Sequence, residues 1–392
     1  MTKKHKILLL SGEGVQVVAL ARGLKKCGTD VSALCESKLS SGYCTRWLDH
    51  RYIAPSMITQ KEKFAAFFYN HITTNKYDVI IPTADESAEF LSREKEYIES
   101  TFCVKCAIPS YSKYILASDK HKLMELCRQI GVGHPNTQTI GDDISSAAVR
   151  VGFPALIKPD FSAGARGIVK VKSIEELRDK YPAIKAEYGN CTLQQYVDQP
   201  DYYYNVMLYR DSSGEITGST VIKIRRYFPL GGGTSCYSET VSETALVAEC
   251  IKILEEIDWN GFADFDVLVD KHSGNYKIIE INPRVPSSLQ AAYAAGVDFS
   301  RCYISDLFHE DKPQFKYCTN MQIRWFGLDV MWFLMSPNRF TFKPSWFKFW
   351  GKNVSYHDGS ISDPLPMIAG CLEGIKKYLN PQFRKAKLKA NK

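Results

Sequence analysis

The sequence lacks a long apolar run, a repeating cysteine spacing and a strong excess of either charge. Its longest apolar stretch, Gly327 to Met335, is too short to span a bilayer, and Lys6 to Leu10 is too short for the core of a secretory signal. The 50 Lys and Arg residues against 43 Asp and Glu residues give a net charge of +7, which is mild for 392 residues. These absences argue against a membrane-spanning protein, a secreted protein and a general nucleic-acid binder.

The 12 cysteines favour free thiols in a reducing compartment, because no secretory signal accompanies them. Cys103 and Cys106 have the spacing of a redox or zinc pair, but neither a second pair nor a neighbouring His completes such a motif. We therefore interpret this pair as structural and expect a cytoplasmic protein.

The chain is long enough for two or three domains, and its first part alternates predicted strands and helices. This alternation is typical of an open α/β sheet. Ser11 to Gly14 follows the first strand but lacks the third glycine of a dinucleotide fingerprint, so NAD binding is not favoured. Asp85 and Glu86 stand near a strand end, where small ligands often bind, although they could equally serve only to open the next helix. The expected elements are Lys6–Leu10, Val15–Lys26, Val31–Leu34 and Asp78–Pro82.

Oxygen-bearing side chains end the apolar run 276–282. Glu280 and Asn282 are two residues apart, so they emerge on the same face of a strand, where a carboxylate and an amide oxygen can hold a hard cation. Arg284 follows just past the strand end, within reach of a phosphate on that cation. The alternative is a solvated hairpin face that carries ordinary polar residues.

A second alternating run, 261–270, precedes the first and is joined to it by turn-forming residues. If Asp270 pairs with Tyr276 across the turn, the antiparallel register places Asp266 directly opposite Glu280. Three oxygen ligands would then converge on one surface, an arrangement that suits magnesium bridging the phosphates of a nucleotide.

A lysine-bearing hairpin is predicted between residues 152 and 171. The apolar strand ends at Lys158, and the small-residue loop 161–167 has the free backbone N–H groups needed to fold over phosphates. The alternative is a flexible hairpin tip with an incidental lysine. Upstream, Ser118 or Asp119 caps a predicted helix that carries Lys120 in its first turn.

Near the C-terminus, residues 339–352 interleave aromatic rings with four basic residues and contain no acid. This combination suits a membrane interface or a polyanionic, lipid-linked acceptor, whereas packing of the rings against the preceding domain is the alternative. Residues 383–392 contain five basic residues and no acid, which predicts a solvated tail or, secondly, attraction to a membrane.

With these segments in order, the chain resembles the ATP-grasp superfamily, and within it the carbamoyl-phosphate-synthase-like and carboxylate-amine ligase branch. The resemblance covers residues 1–310 and rests on Lys120, the strand 153–159 with the loop after it, 194–197, Asp266, and 280–284. It implies an α/β and α+β protein with an ATP-grasp fold. A Rossmann-like pre-ATP-grasp domain would occupy 1–112, the ATP-grasp domain 113–310 with a lid subdomain at 150–195, and a C-terminal extension 311–392.

The resemblance also implies roles for individual residues, with ATP and Mg²⁺ as cofactors. Lys120 and Lys158 would contact the ATP phosphates, and Lys158 and Arg284 would act in catalysis. The phosphate lid would include Ser162, Ala163, Gly164 and Gly167. The hinge at adenine would be formed by Gln194, Gln195, Tyr196 and Val197, and the ribose contact by Asp201, where the family usually has a glutamate. The magnesium ligands would be Asp266, Glu280 and Asn282.

The expected activity is that of an ATP-dependent ligase acting on a small-molecule carboxylate and an amine or thiol through an acylphosphate. A cell-envelope or polysaccharide precursor is one candidate acceptor. A bicarbonate-activating enzyme like carbamoyl-phosphate synthase is the first alternative, although the full synthase uses two ATP-grasp units and this chain carries one. A non-catalytic nucleotide-binding protein is the second. Nothing in the sequence indicates an oligomeric state.

Overall fold

The computed structural model describes residues 4–141, 143–159, 167–230 and 233–379. Within these residues the chain forms three β-sheets of five, four and seven strands. Each sheet takes its strands from one continuous part of the sequence, so the sheets follow one another along the chain.

The first sheet is parallel, with its strands in the order β3-β2-β1-β4-β5. The central strand β1 is an almost unbroken apolar run because helices cover both faces of such a sheet. Strand order reverses between β1 and β4, so the crevice at their carboxyl ends is where ligands bind in folds of this kind. The strands are β1 (Lys6–Leu10), β2 (Asp30–Cys35), β3 (His50–Ile53), β4 (Val79–Pro82) and β5 (Lys105–Cys106), and the helices are α1 (Gln16–Lys26), α2 (Ser41–Cys44), α3 (Lys61–Asn75), α4 (Asp85–Phe102) and α5 (Tyr111–Ser118).

The second sheet is antiparallel, in the order β6-β9-β7-β8. It contains the predicted lysine-bearing hairpin, formed by β7 and β8, and its apolar face packs against α7 and α8. The helix before it, α6, begins as predicted, because the Asp119 side chain accepts hydrogen bonds from the backbone N–H groups of His121 and Lys122. These elements are α6 (Lys120–Gln129), β6 (Thr137–Thr139), α7 (Ile144–Val151), β7 (Ala155–Pro159), β8 (Val169–Val171), α8 (Ile174–Tyr188) and β9 (Cys191–Gln195).

The third sheet has the order β14-β13-β10-β11-β12-β15-β16. All its neighbouring strands are antiparallel except β15 and β16. The strands are β10 (Tyr203–Arg210), β11 (Ile216–Phe228), β12 (Thr234–Val241), β13 (Gly261–Val269), β14 (Tyr276–Asn282), β15 (Gln322–Arg324) and β16 (Val354–Tyr356), and the helices are α9 (Thr244–Glu256), α10 (Gln290–Ala294), α11 (Phe299–Phe308), α12 (Phe326–Met335) and α13 (Leu365–Leu379).

One apolar core joins the first sheet to the third. Leu20 and Leu24 of α1 belong to the same buried cluster as Phe299 and Tyr303 of α11 and Ile222 of β11. Burial of this shared surface fixes the carboxyl ends of β1 and β4 relative to the large sheet. The cavity described below depends on this arrangement.

The segment predicted as a C-terminal extension contributes β15 and β16 to the large sheet. Arg226 of β11 and Arg324 of β15 both bind Asp329 of α12, and all three side chains are fully buried. The Arg226 Nε to Asp329 Oδ1 distance is 2.7 Å, and the Arg324 Nη2 to Asp329 Oδ2 distance is 2.6 Å. Trp346 Nε1 donates to the Asp329 carbonyl oxygen at 3.0 Å, which anchors the aromatic segment to the same helix. These buried ion pairs therefore tie the extension to the third sheet.

Two general expectations can be compared with the structure. All 12 cysteines lie within the described residues, and none of them, Cys103 and Cys106 included, forms a disulfide there. Among the helices of the described residues, none combines the length and the hydropathy that a bilayer crossing requires.

Replacing Asp329 should be strongly destabilising. In Asp329→Ala two buried guanidinium groups lose their only ion-pair partner in the described structure, and breaking such a buried pair costs about 3–5 kcal/mol of the free energy of unfolding. Urea unfolding would measure the change. Glu249→Ala is the matched control, because it breaks a partly exposed pair with Lys252 and should cost less than about 1 kcal/mol. Equal effects of the two substitutions would contradict the structural role of Asp329.

Candidate active site

A cavity of about 800 Å³ opens where the three sheets meet. Helix α4, which follows β4 of the first sheet, lines it with Asp85. The second sheet lines it with Lys158, and the third with Asp266 and Glu280. The cavity thus gathers groups that are far apart in sequence, and it lies at the crevice expected from the strand order of the first sheet.

The pairing of β13 with β14 brings three carboxylates together. Asp266 lies opposite Glu280, and Asp264 lies opposite Asn282. The predicted pairing of Asp270 with Tyr276 was wrong, because Val269 is the partner of Tyr276. The register shifts between Asp266 and Val267, where Ile279 is an extra residue on β14, and this β-bulge restores the predicted pairing of Asp266 with Glu280.

Amide side chains hold the carboxylates in place. Asn282 Nδ2 donates to Asp264 Oδ2 at 3.2 Å and lies 3.5 Å from Asp266 Oδ2, while Asn205 Nδ2 donates to Asp266 Oδ1 at 3.2 Å. These two amides offset part of the repulsion between the carboxylates, but they carry no positive charge. The Oδ1 atom of Asp264 has no hydrogen-bond partner in the described structure, although the residue is only 2% exposed.

Burial and the neighbouring negative charges both raise the pKa values of Asp264 and Asp266. Burial, and secondly the charge of Glu280, raise the pKa of Asp266 to about 6. Burial and the charge of Asp266 raise the pKa of Asp264 well above its ordinary value. Negative charge at this position is therefore costly unless a cation compensates it.

A magnesium ion fits this donor set. No group of three His, Cys, Asp or Glu side chains forms a ready-made metal cage within the described residues. Asp266 and Glu280 would instead offer two carboxylates and Asn282 an amide oxygen, leaving room for phosphate and water oxygens, as Mg²⁺ prefers. As placed, Asn282 directs its Nδ2 at the carboxylates and its Oδ1 at Arg284, so its amide would have to turn to bind the metal.

Two lysines approach the same cluster from the second sheet and from α6. Lys158 is buried, and its Nζ donates to Gln194 Oε1 at 2.6 Å. Lys120 Nζ lies 3.5 Å from Glu280 Oε1. Burial lowers the pKa of Lys158 to about 8, with nearby Lys120 acting in the same direction and Glu280 opposing it. An anionic ligand such as a phosphate would relieve the repulsion between the two ammonium groups.

Arg284 connects the first sheet with the carboxylate cluster. Its Nε donates to Asp85 Oδ1 at 2.8 Å, and its Nη2 donates to Asn282 Oδ1 at 3.2 Å. Burial alone would disfavour the charge of the guanidinium, but Asp85 and then Asp264 hold the pKa of Arg284 above its usual value. Asp85 also begins α4, so both interpretations of this residue apply: it opens the helix and it faces the site.

The remaining predicted residues lie elsewhere. The lining of the cavity does not include 194–197 or Asp201 in the described part of the chain. Gln194 is buried between Lys158 and Thr137, whereas Asp201 is exposed. Lys170 Nζ sits 3.2 Å above the Tyr196 ring, and the Val197 side chain is buried. The Gln195 N–H donates to the Asn136 carbonyl oxygen at 2.7 Å.

The phosphate lid is only partly within the described structure. Ser162, Ala163 and Gly164 lie outside the described residues. Gly167 is described and has a φ of +73°, a conformation that favours glycine. The adenine, ribose and lid assignments therefore stay predictions.

Some residues of the cavity were not singled out from the sequence. Asp264 could have been found, because the alternation that places Asp266 on the cavity face places Asp264 there too. Asn205 on β10 pairs with Asp266 across the sheet and carries no local signal. Trp325 and His357 also line the cavity, and they come from the C-terminal segment.

Comparison with known proteins identifies the central part of the chain. Residues 118–304 match the family model described as carbamoyl-phosphate synthase L chain, ATP binding domain. The chain is 26% identical over 227 residues to the D-alanine–D-alanine ligase of Stutzerimonas stutzeri (strain A1501). This alignment covers 52% of this chain and 70% of that protein. It is 23% identical over 288 residues to the D-aspartate ligase of Enterococcus faecium (strain Aus0004), covering 67% of this chain and 66% of that protein.

A solved structure has a similar fold. The biotin carboxylase domain of the 2-oxoglutarate carboxylase from Hydrogenobacter thermophilus, in complex with MgADP, ADP and bicarbonate, aligns with a TM-score of 0.68 at 17% identity. The alignment covers 82% of this chain and 74% of that chain. At this identity the likeness concerns the fold alone, and it confirms the architecture predicted from the sequence.

Magnesium should protect the fold only where Asp266 is ionised. Because its pKa is raised to about 6 from 3.8, the folded protein keeps a proton that the unfolded chain loses, so this group makes the metal-free fold less stable as the pH rises between these values. Mg²⁺ binds the ionised form and should therefore raise the Tm at pH 7.5 but hardly at pH 5. Melting curves with and without MgCl₂ at both pH values would measure this.

The turn variant Asp270→Asn is the control, since Asp270 bonds only within the turn of the same hairpin in the described structure. It should keep the magnesium response, and Asp266→Asn should lose it. Equal protection at both pH values, or full protection of Asp266→Asn, would contradict the metal site.

Proposed function

Residues 118–304 form an ATP-grasp domain of the ATP-dependent ligases, as the sequence predicts, and on this premise we propose that the protein joins a carboxylate to an amine through an acylphosphate. The observation that supports the proposal most directly is the cavity that unites Lys120 and Lys158 with Arg284 and the carboxylates of β13 and β14. Cations for a triphosphate and acids for a metal ion are the groups that phosphoryl transfer requires.

Each group has a definite task in the proposed reaction. Lys120 and Lys158 bind and orient the phosphates of ATP, and Arg284 neutralises charge on the transferred phosphoryl group. Asp266, Glu280 and Asn282 would hold Mg²⁺, which screens the negative charge of the phosphates when it is bound. Substrate positioning is the main contribution of the protein, since the chemistry occurs between ATP and its acceptor.

The bonds change in two steps. A carboxylate oxygen of the substrate attacks the γ-phosphorus of ATP, and the bond to the β-γ bridging oxygen breaks with release of ADP. The amine nitrogen then attacks the acyl carbon, the carbon–oxygen bond to phosphate breaks, and phosphate leaves with the bonding electrons while the nitrogen loses a proton. Water must be kept out, because it would hydrolyse the acylphosphate.

An amino acid is the proposed class for at least one substrate. Two relatives are named as D-alanine–D-alanine ligase and D-aspartate ligase, which supports this class. A cell-envelope or polysaccharide precursor is the proposed acceptor. A carboxylate-thiol ligation and bicarbonate activation use the same first step. The substrate screen below separates these reactions.

An ADP-release screen tests the proposal. Amino acids, sugar acids and bicarbonate are offered as carboxylates, each with and without amines and thiols, and a carboxylate-dependent, magnesium-dependent release of ADP is expected. Glu280→Gln should lower turnover by about 100-fold or more, because it removes a charged metal ligand, and Lys158→Met should do so by weakening phosphate binding.

Asp270→Asn, outside the cavity, should keep the wild-type rate. The wild-type protein releasing no ADP with any substrate pair would favour a non-catalytic nucleotide-binding role. Full activity of Glu280→Gln would refute the assignment of the metal ligands.

We also propose that residues 339–352 contact an anionic membrane surface. The rings of this segment divide into two groups. Trp346 stacks on Phe333 of α12 at a centroid distance of 4.2 Å, so it packs on the protein, whereas Phe340, Phe347 and Trp350 are 72%, 57% and 83% exposed. Core packing therefore accounts for some of the rings and leaves others free for a partner.

Charge supports a lipid partner for the exposed rings. The segment carries Arg339 and three exposed lysines and no acid, so it complements an anionic surface while its rings suit the interface. The lysines are Lys343, Lys348 and Lys352. The basic tail 383–392, predicted as a second contact, lies outside the described residues.

Vesicle co-sedimentation tests this contact. Binding to vesicles with anionic lipid should exceed binding to zwitterionic vesicles, should fall as salt is added, and should weaken about fivefold for each of Lys343, Lys348 and Lys352 changed to Ala. Trp350→Ser should also weaken it, whereas Val149→Ser, an equally exposed apolar residue on α7, should not. Salt-independent binding, no binding, or self-association of the protein that Trp350→Ser abolishes would overturn the membrane proposal.

A further inference from the structure

Two side chains of the C-terminal segment reach the catalytic cavity, and the geometry of the sheet explains why both do. Strands β15 and β16 are parallel neighbours, with Arg324 paired to Tyr356. Trp325 and His357 are the next residues after these two strand ends, and the His357 N–H donates to the Arg324 carbonyl oxygen at 2.9 Å. Since parallel strands end at the same edge of a sheet, both side chains lie at one place, beside the cavity.

His357 is buried but has no bonding partner for its ring in the part of the chain that the structure describes. The residue is 2% exposed, and neither Nδ1 nor Nε2 makes a hydrogen bond there. The Trp325 ring meets the imidazole edge at a centroid distance of 6.4 Å. Buried polar atoms in proteins are nearly always paired, so this ring, which lines a cavity, is set to bind something that enters it. Burial lowers the pKa of His357 to about 3, so the imidazole is neutral and offers one hydrogen-bond acceptor.

Helix α4, which follows β4 of the first sheet, contributes an acidic face to the same cavity. Asp85, Glu86 and Glu89 lie on one side of α4 and line it. Asp85 binds Arg284 and Glu89 binds Arg93, whereas Glu86 has no ion-pair partner among the described residues. Burial raises the pKa of Glu86, as does the charge of Asp85. A cationic group on a ligand would relieve this repulsion.

The charges of the whole lining also favour a cationic group on the ligand. Among the described residues of the lining, six carboxylates face three cations, and the cations lie near the metal ligands, where the phosphates are expected. Glu86 and Glu89 line this cavity together with Trp325 and His357, and Glu86 forms no ion pair among the described residues. A substrate carboxylate would be repelled there, whereas an amine donates N–H bonds to carboxylates and to a neutral imidazole and can rest against an indole ring.

We propose that Trp325, His357, Glu86 and Glu89 form the subsite that binds the amine-bearing substrate of the ligase, an inference that rests on the proposed function. His357 accepts an N–H bond from the amine and orients its nitrogen, and Glu86 provides the negative charge that attracts the ammonium form. The C-terminal segment is therefore part of the active site, although it lies outside the matched residues 118–304.

Hydroxylamine separates the two half-reactions. It is small enough to trap an acylphosphate as a hydroxamate without a dedicated subsite, so hydroxamate formation reports carboxylate activation alone. Amino acids tested as acceptors report the amine subsite. With a carboxylate that supports ADP release, His357→Ala should raise the KM for the amino-acid amine about tenfold while leaving hydroxamate formation within about twofold of wild type.

Further variants guard against a merely structural effect. His357→Gln keeps a hydrogen-bond acceptor and should restore much of the affinity for the amine. Glu86→Gln needs no change in the buried core and should raise the same KM, whereas Glu96→Gln, an exposed residue on the same helix, should leave it unchanged.

The outcomes distinguish the two proposals. A wild-type protein that forms neither ADP nor hydroxamate with any carboxylate refutes the proposed function, and the subsite with it. An active wild type whose KM for the amine is the same in His357→Ala and Glu86→Gln overturns the subsite alone. The subsite is likewise refuted if these variants lose hydroxamate formation as severely as amine ligation.

Discussion

The crowding of like charges on β13 and β14 is the constraint around which the rest of the site is arranged. Antiparallel pairing holds Asp264, Asp266 and Glu280 together, and burial makes their charges costly. Neutral amides from Asn205 and Asn282 only soften the repulsion. The uncompensated negative charge therefore attracts cations into the cavity. A bound cation would offset this cost.

The basic side chains of the cavity come from three different parts of the fold. Lys158 lies near the end of β7 in the second sheet, and Lys120 begins α6. Arg284 follows β14, where Asp85 of α4 holds it. No single element could supply this arrangement, because side chains on one strand or helix point along a few fixed directions. Packing of the sheets decides the distances between these groups, so substitutions in the shared core between α1 and α11 can affect the site without touching it.

The C-terminal segment is held by a second buried charge group, in which Asp329 binds Arg226 and Arg324. These ion pairs join β15 to β11 of the same sheet through α12, and Trp325 follows β15 directly. Arg324, which binds Asp329, is therefore followed directly in the sequence by Trp325, which lines the cavity. This arrangement would let a segment outside the ATP-grasp domain shape substrate choice, while its exposed rings at 340, 347 and 350 remain available for a surface contact.

The sequence by itself determined the elements whose signals are local. Periodicity and the Asp119 cap were enough to predict the helix of Lys120, because these features act over a few neighbouring residues. The opposition of Asp266 to Glu280 was predicted from the turn before Tyr276, and it holds because a bulge separates the two carboxylates from that turn. The predicted partner of Tyr276 was off by one residue, because a β-bulge leaves no clear trace in a hydrophobic pattern. Only the tertiary structure decided that Asp85 meets Arg284 and that His357 reaches the cavity. Such contacts join distant segments and depend on how whole sheets pack, which no local pattern of residues encodes.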